Sequence, residues 1–248
     1  SDLDRDWQYD LRKRCLPAIA RGDLPPQAAR QLTREGFNMK PAVVPAAGDS
    51  AAFVFFRNHR GYTHLARGSL GDQPPEELLP GERSPSIESL HPMASRPAVT
   101  RDGALLAYVA KHRGRDHLYV HDLRTRARCR DLAFAELVAL SSPAWSPDGG
   151  QLAFAGAGPA GTVDLYLVAL STGRLRRLTD DVYDDRDPAW APDGRALVFS
   201  SDRWAGGGRP GRHNLFLLEL DTGAVRQLTR GPHDDLQAAW SPDGRHLA

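Results

Sequence analysis

The chain has 248 residues and carries 32 lysine and arginine residues against 31 aspartate and glutamate residues. Because these charges balance, no net positive field favours binding to nucleic acid or to an anionic membrane surface. No run of about 18 apolar residues is present, so no segment is expected to insert into a membrane. A chain of this length can bury a substantial core.

The first forty residues differ from the rest of the chain and predict α-helix. Trp7, Leu11 and Cys15 recur at helical spacing with basic residues between them. A second short helix is predicted over about residues 26–34. We therefore expect residues 1–40 to form a helical segment, which is either the tail of an upstream domain or a helical pair packed on the side of the domain that follows.

The most informative feature is one phrase that occurs three times, as Ala-Trp-Ser-Pro-Asp-Gly or Ala-Trp-Ala-Pro-Asp-Gly. The copies span residues 144–149, 189–194 and 239–244, so their tryptophans lie 45 and then 50 residues apart. In each copy Pro presets φ for a turn, Asp bonds to nearby backbone, and Gly accepts a positive φ. A period of this length, with a tight turn between apolar runs, indicates the blade of a β-propeller.

Each repeat contains four short apolar runs, named here strands A to D in chain order. In the first clear repeat, strand A ends at Trp145, strand B is predicted over 151–155, strand C over 164–170 and strand D over 174–179. Strands A and B are joined by the Pro-Asp-Gly turn, and strands C and D by a Thr-Gly turn. Four strands with two Gly-containing turns predict one antiparallel blade.

Two weaker copies lie upstream. Pro97–Gly103 keeps the Asp-Gly turn but has Val99 in place of tryptophan, and Pro41–Pro45 opens a copy without the Asp-Gly pair. Together the copies predict an all-β propeller of four-stranded antiparallel blades over residues 41–248, with four blades and the start of a fifth. Because an open array exposes unpaired strand edges, we expect the chain to be truncated, with further blades beyond Ala248.

The repeat phrases, the strand runs Leu-Ala-Phe and Leu-Val-Phe, and Ser200–Arg203 resemble the WD-like propeller repeats of the TolB family. The resemblance covers residues 41–248 and implies a protein-binding propeller of the bacterial cell envelope, exported to the periplasm. The same repeats precede the hydrolase domain of prolyl-oligopeptidase-like peptidases and follow some gluzincin-type metallopeptidase domains. The alternative that it implies is an accessory propeller of a larger peptidase. Residues 1–40 do not match the α/β domain that precedes the TolB propeller.

The usual catalytic and metal-binding spacings do not occur in the sequence. It contains no His-Glu-x-x-His, no Gly-x-Ser-x-Gly, no Gly-rich phosphate loop and no Cys-x-x-Cys. We therefore expect no catalytic residue, metal site or cofactor in this chain. The chain is interpreted as a non-catalytic module that binds a protein or peptide.

Propeller geometry places the B–C and D–A connections on one face, and variable connections of this kind usually carry binding residues. The B–C set is basic and the D–A set is acidic, which predicts a polar rim that recognises a peptide or a chain terminus. Trp204 lies in a Gly-rich loop, as either a contact residue or a loop anchor. The candidate binding residues are Arg57, Arg60, Arg113, Arg115, Asp184, Asp185, Arg203, Trp204, Arg209, Arg212, Asp234 and Asp235.

The alternative interpretation is that these charges satisfy one another, since exposed ion pairs contribute only about 0–1 kcal/mol each. In particular, residues 184–187 and 201–203 are predicted to form a bracket between blades. The tryptophans of the three repeat phrases are predicted to pack between adjacent blades.

Overall fold

The computed structural model describes residues 30–45, 51–71, 73–203, 211–231 and 233–248. Residues 35–248 form one compact unit, distinct from residues 1–34. The helices predicted before residue 30 lie outside the described residues. Residues 30–34, the end of the second predicted helix, have no regular secondary structure. In the part of the chain that is described, no helix has the length and apolar character needed to cross a bilayer.

Within the described residues, sixteen β-strands form four sheets of four antiparallel strands, and each sheet uses four consecutive strands. Each sheet is therefore one blade of the predicted type. Blade 1 contains β1 (Phe37–Val44), β2 (Ala52–His59), β3 (Tyr62–Ser69) and β4 (Glu76–Leu79). Blade 2 contains β5 (Ala98–Val99), β6 (Leu105–His112), β7 (Arg115–Asp122) and β8 (Arg128–Leu132). Blade 3 contains β9 (Ala139–Trp145), β10 (Gln151–Ala157), β11 (Val163–Ala169) and β12 (Leu175–Arg177). Blade 4 contains β13 (Asp185–Trp190), β14 (Ala196–Ser201), β15 (Asn214–Glu219) and β16 (Val225–Gln227).

The predicted start of a fifth blade is present. Trp240 forms an antiparallel bridge with Leu247, and Ala239 and Ala248 exchange backbone hydrogen bonds of 2.9 and 3.0 Å. The expectation that the helical segment extends to residue 40 was wrong. Strand β1 begins at Phe37, because residues 37–39 pair with the far end of β2 across a β-bulge.

The B–C connections of blades 1 and 2 are shorter than the variable loops expected from the sequence. Each is a two-residue hairpin turn with positive φ at both positions, formed by Arg60 and Gly61 in blade 1 and by Arg113 and Gly114 in blade 2. This is the turn that fits the twist of two long strands. The sequence did not predict these turns, because Arg60 and Arg113 stand where Asn or Asp is usual.

The core lies between neighbouring blades, so both faces of a sheet are buried. In β10, Leu152 and Phe154 pack against residues of blade 2, whereas Ala153 and Ala155 pack against residues of blade 4. This explains why the middle strands read as continuous apolar runs, with large and small side chains on opposite faces. Phe154 and Phe199, aromatic residues of the second strands of blades 3 and 4, are fully buried.

The repeat tryptophans join neighbouring blades through their indole nitrogens. Trp145 Nε1 donates to the carbonyl of Ala98 in blade 2, and Trp190 Nε1 donates to the carbonyl of Ala144 in blade 3, both at 3.1 Å. The prediction of packing between blades is confirmed for these two residues. Trp240 Nε1 is buried and has no acceptor among the described residues.

The Pro-Asp-Gly turn is stabilised within its own blade and also meets the preceding turn. In blade 3, Asp148 Oδ1 accepts hydrogen bonds from Ser146 Oγ at 2.5 Å and from the Gly150 amide at 3.0 Å. A Cβ placed on Gly194 would stand 3.7 Å from Cδ of Pro147, the proline of the turn one blade earlier. The phrase is therefore both a turn signal and a contact between blades.

Two adjacent glycines in this turn give a matched pair of substitutions. Gly149 has a φ of +70°, whereas Gly150 does not lie in the left-handed region. We expect Gly149→Ala to lower the free energy of unfolding by about 1–2 kcal/mol, because a side chain there is strained. Gly150→Ala should change it by less than about 0.5 kcal/mol. Urea denaturation of both variants checks this, and equal effects would contradict the assigned turn geometry.

Candidate functional site

Two cavities lie at opposite ends of strands β9 and β13. The loop-side cavity, defined by Met93, Leu236 and His213 among its lining residues, has a volume of about 570 Å³. The turn-side cavity, defined by Trp145 and Trp190 among its lining residues, has a volume of about 460 Å³. Since Met93 and Leu236 belong to D–A connections and His213 follows a B–C connection, these two sets of connections share one face, as the sequence predicts.

Large apolar side chains are exposed in every described D–A connection. Met93 precedes blade 2, Val138 precedes blade 3, Val182 precedes blade 4, and Leu236 precedes the start of blade 5; their exposed fractions are 76, 46, 83 and 51%. Solvent exposure of a single large apolar side chain is ordinary, but here such a side chain recurs in corresponding connections of successive repeats. Sequence reasoning missed these residues because it considered only the charges of the D–A loops.

A hydrogen-bonded pair at the loop-side cavity joins three elements. His91 Nε2 lies 2.8 Å from Asp116 Oδ1, and Asp116 Oδ2 accepts a hydrogen bond from the Leu140 amide of blade 3 at 3.0 Å. The hydrogen bond with Asp116 raises the pKa of His91, although burial acts in the opposite direction. The pair therefore holds the connection before blade 2 against the first strand of blade 3.

The first strands carry a repeated bulge next to the cavities. Lys40, Ser142, Asp187 and Gln237 all have φ between +49° and +57°, and each directly precedes the Pro-Ala or Ala-Ala pair of its repeat. Ser142 Oγ donates to Asp187 Oδ1 at 2.5 Å, which links blades 3 and 4. Non-Gly residues rarely adopt this conformation, so its recurrence shows that the blade geometry imposes it. Blade 2 is the exception, because Arg96 precedes its Pro97-Ala98 pair without a positive φ.

Arg203 and Asp185 form part of the interior of blade 4. Arg203 Nη2 lies 2.6 Å from Asp185 Oδ2 and 3.1 Å from Asp181 Oδ2, and its guanidinium lies over the rings of Phe199 and Phe216. Asp185 is fully buried, and burial raises its pKa while Arg203 opposes that shift. These two side chains pair with each other inside blade 4 and do not present a free surface to a partner.

The bracket predicted between blades lies within blade 4, apart from the bond that Asp187 accepts from Ser142 of blade 3. The Asp184 amide donates to Asp202 Oδ1 at 2.8 Å, and these two residues flank the neighbouring strands β13 and β14 of blade 4. Asp184 also pairs with Arg186. The residues lie together because β13 and β14 are neighbouring strands of one sheet, which sequence spacing alone did not distinguish from neighbouring blades.

Arg212 and Asp234 join a B–C connection to a D–A connection at the loop-side cavity. Arg212 Nη1 lies 2.6 Å from Asp234 Oδ2, and the His213 amide donates to Asp234 Oδ1 at 2.9 Å. Both hydrogen bonds lower the pKa of Asp234. Asp235 follows, and its amide donates to the carbonyl of His213. Among the twelve sequence-predicted residues, Asp234 is the described one that lines this cavity.

The remaining basic candidates do not converge on the cavity. Arg57 lies within β2 with its side chain 13% exposed, and its Nη2 is 3.7 Å from Glu35 Oε2. Arg60 and Arg113 are exposed at hairpin tips, and Arg115 Nη1 donates to the carbonyl of Ala135 at 3.3 Å. The last two candidates, Trp204 and Arg209, lie outside the described residues.

No feature of the described site is arranged for metal binding. Within the ranges given above, no group of three or more His, Cys, Asp or Glu side chains is placed to hold a metal ion. The described residues of this face form an apolar patch bordered by ion pairs. Such a surface suits binding of another molecule through contact area.

Successive four-stranded antiparallel sheets with repeated turns and bonds between first strands define a β-propeller repeat protein. The chain belongs to the TolB beta propeller domain family (PD40), whose model matches residues 80–210, which is more than half of the 248 residues.

Solved structures share this fold. A protein from Agrobacterium tumefaciens assigned as TolB superposes with a TM-score of 0.67 and 23% identity, over 86% of this chain and 69% of that chain. TolB from Acinetobacter baumannii gives 0.59 and 19%, over 84% and 61%. A puromycin-hydrolyzing peptidase from Mycobacterium tuberculosis gives 0.58 and 21%, over 88% and 37%. The chain thus spans only part of each of these proteins.

The His91–Asp116 pair gives a pH-dependent contribution to stability. Because the folded-state pKa of His91 is raised, the contribution is fully present below the unfolded pKa of about 6.5 and is lost as the pH rises through the folded pKa. We expect His91→Gln to lower the free energy of unfolding by about 1 kcal/mol at pH 5.5 and by less at pH 8.5. Urea midpoints at both pH values measure this difference.

Replacement of the exposed His59 by glutamine is the control for this measurement. A pH-dependent loss of the same size in His59→Gln would show that the effect does not come from the pair with Asp116. A His91→Gln loss that is larger at pH 8.5 than at pH 5.5 would contradict the assigned direction of the pKa shift.

Proposed function

We propose that this chain is a non-catalytic β-propeller scaffold that binds a protein or peptide partner on the face formed by its B–C and D–A connections. The proposal rests on one observation. The described D–A connections each expose a large apolar side chain, namely Met93, Val138, Val182 and Leu236, on the face that also opens into the loop-side cavity.

The chemistry of this face matches that of a protein interface. Met93 and Leu236 line the cavity, while Asp234 and its partner Arg212 lie at its edge. Interfaces commonly have an apolar centre and a polar rim, and burial of one such apolar side chain contributes about 1.5–3 kcal/mol. The paired charges set the orientation of a partner more than its affinity.

The cellular setting is proposed from the family resemblance. TolB-like propellers imply an exported protein of the bacterial cell envelope, in the periplasm. Because the chain spans 69% and 61% of the two TolB chains, with identities under 25%, the likeness supports the scaffold and leaves the partner to experiment.

An accessory role in a larger peptidase is the second candidate. It is favoured by the match of 88% of this chain to 37% of the puromycin-hydrolyzing peptidase. In that role the propeller would orient or admit substrates for a catalytic domain elsewhere in the same polypeptide. Sequencing the gene on both sides of this segment separates the candidates, since a Gly-x-Ser-x-Gly hydrolase or a zinc-peptidase motif favours the second.

The binding face is tested with peptides selected on the wild-type chain from a phage-displayed library of random twelve-residue sequences. We expect the double variant Met93→Ser, Leu236→Ser to weaken binding of the selected peptides by about tenfold or more, because two apolar contacts are lost. Fluorescence anisotropy of labelled peptides measures the dissociation constants.

Val225→Ser is the matched control, since Val225 is an exposed apolar residue of the outer strand β16. Its affinity should equal that of the wild type. Selected peptides that bind the double variant as tightly as the wild type would contradict the proposed face, and so would a library that yields no binder.

A further inference from the structure

The turn-side cavity differs in chemistry from the loop-side cavity. Its walls are formed by the proline and tryptophan residues of the repeats, including Pro143, Pro188, Trp145 and Trp190. Arg96 also lines this cavity. The cavity thus combines rigid apolar walls with a guanidinium group, which is the combination that recognises an apolar molecule carrying one anionic group.

Arg96 is the strongest unexplained feature of the cavity. Its side chain is half-buried, yet no described residue accepts a hydrogen bond from it or forms an ion pair with it within 4.0 Å. Burial lowers the pKa of Arg96, and the charge of Asp187 opposes that shift. A guanidinium carries five N–H donors, and buried arginines are normally paired. The donors of Arg96 are therefore available to an acceptor that the described residues do not supply.

Asp187 does not fulfil this role. Its Oδ1 accepts the hydrogen bond from Ser142 Oγ at 2.5 Å, and the residue is fixed in the bulge of β13. It acts on Arg96 through its charge without a hydrogen bond. The presence of this carboxylate nearby also limits the ligand, because a second negative charge on the ligand would be repelled. A monoanion fits the site better than a dianion such as phosphate.

We infer that Arg96 binds the carboxylate of an apolar monocarboxylate that enters through the turn-side cavity. The guanidinium donates two parallel hydrogen bonds to the carboxylate oxygens, and the proline and tryptophan walls contact the apolar group. Two sources have this chemistry, a free organic acid and the C-terminus of a peptide that ends in an apolar residue. This site lies at the opposite end of β9 and β13 from the proposed partner face and does not depend on it.

The probes are 3-phenylpropionate and N-acetyl-Ala-Phe, each compared with its own primary amide. Since Trp145, Trp190 and Trp240 line the cavity, quenching of intrinsic fluorescence reports binding, and calorimetry confirms it. We expect each acid to bind the wild-type chain about tenfold or more tightly than its amide. Binding of 3-phenylpropionate alone indicates a free acid as the ligand, whereas tighter binding of the peptide indicates a chain terminus.

Arg96→Gln should reduce the affinity for the acids about tenfold or more and leave that for the amides unchanged. Arg96→Lys should retain part of the preference, because an ammonium supplies the charge without the fork of donors. Arg195→Gln removes an exposed arginine of the turn in blade 4 and is the control for net charge.

Equal affinities for an acid and its amide would overturn the inference, as would an unchanged acid affinity in Arg96→Gln, or the absence of saturable binding by both acids. The comparison of acid with amide uses only the wild-type chain, so it decides the question even if Arg96→Gln does not fold. Circular dichroism of the variants identifies that case.

Discussion

The structure depends on contacts that each blade makes with the one before it through its first strand. Trp145 and Trp190 each donate a hydrogen bond to a backbone carbonyl of the preceding first strand. Gly194 likewise lies against Pro147 of the preceding turn. A four-stranded sheet cannot bury both of its faces alone, so the stability of each blade comes from its neighbours. The repeat phrase supplies both the local turn and the contact to the next blade.

The same constraint determines what the two ends of the first strands present. At one end, the turns are fixed by the contacts between blades, and the space among them becomes a cavity walled by proline and tryptophan. At the other end, the contacts of the described D–A connections differ from one connection to the next, as with His91 and Asp116 before blade 2 and Asp234 and Arg212 before blade 5. Met93, Val182 and Leu236 are exposed there. The fold therefore combines an apolar cavity at one end of the first strands with exposed apolar side chains at the other, on the face that we propose for binding.

The fold was largely predictable because the turn phrase and the apolar runs are local signals. Blade count, strand order and the role of Trp145 followed from them. The hairpin at Arg60 was not recognised, since its positive φ is set by strand twist and not by a typical turn residue. The site was less predictable. Arg203 was predicted to be a contact residue because its burial against aromatic rings depends on tertiary packing, which the sequence does not show. Arg96 was not predicted as a binding residue, because only the structure shows that its donors have no partner among the described residues.

The most direct test of the contacts between blades is a comparison of three tryptophan-to-phenylalanine variants by urea denaturation. Trp145→Phe and Trp190→Phe each remove a hydrogen bond to the preceding blade, whereas Trp240→Phe removes an indole nitrogen that has no acceptor among the described residues. We expect the first two to lose about 1–2 kcal/mol more free energy of unfolding than the third. Equal losses in all three variants would contradict the account.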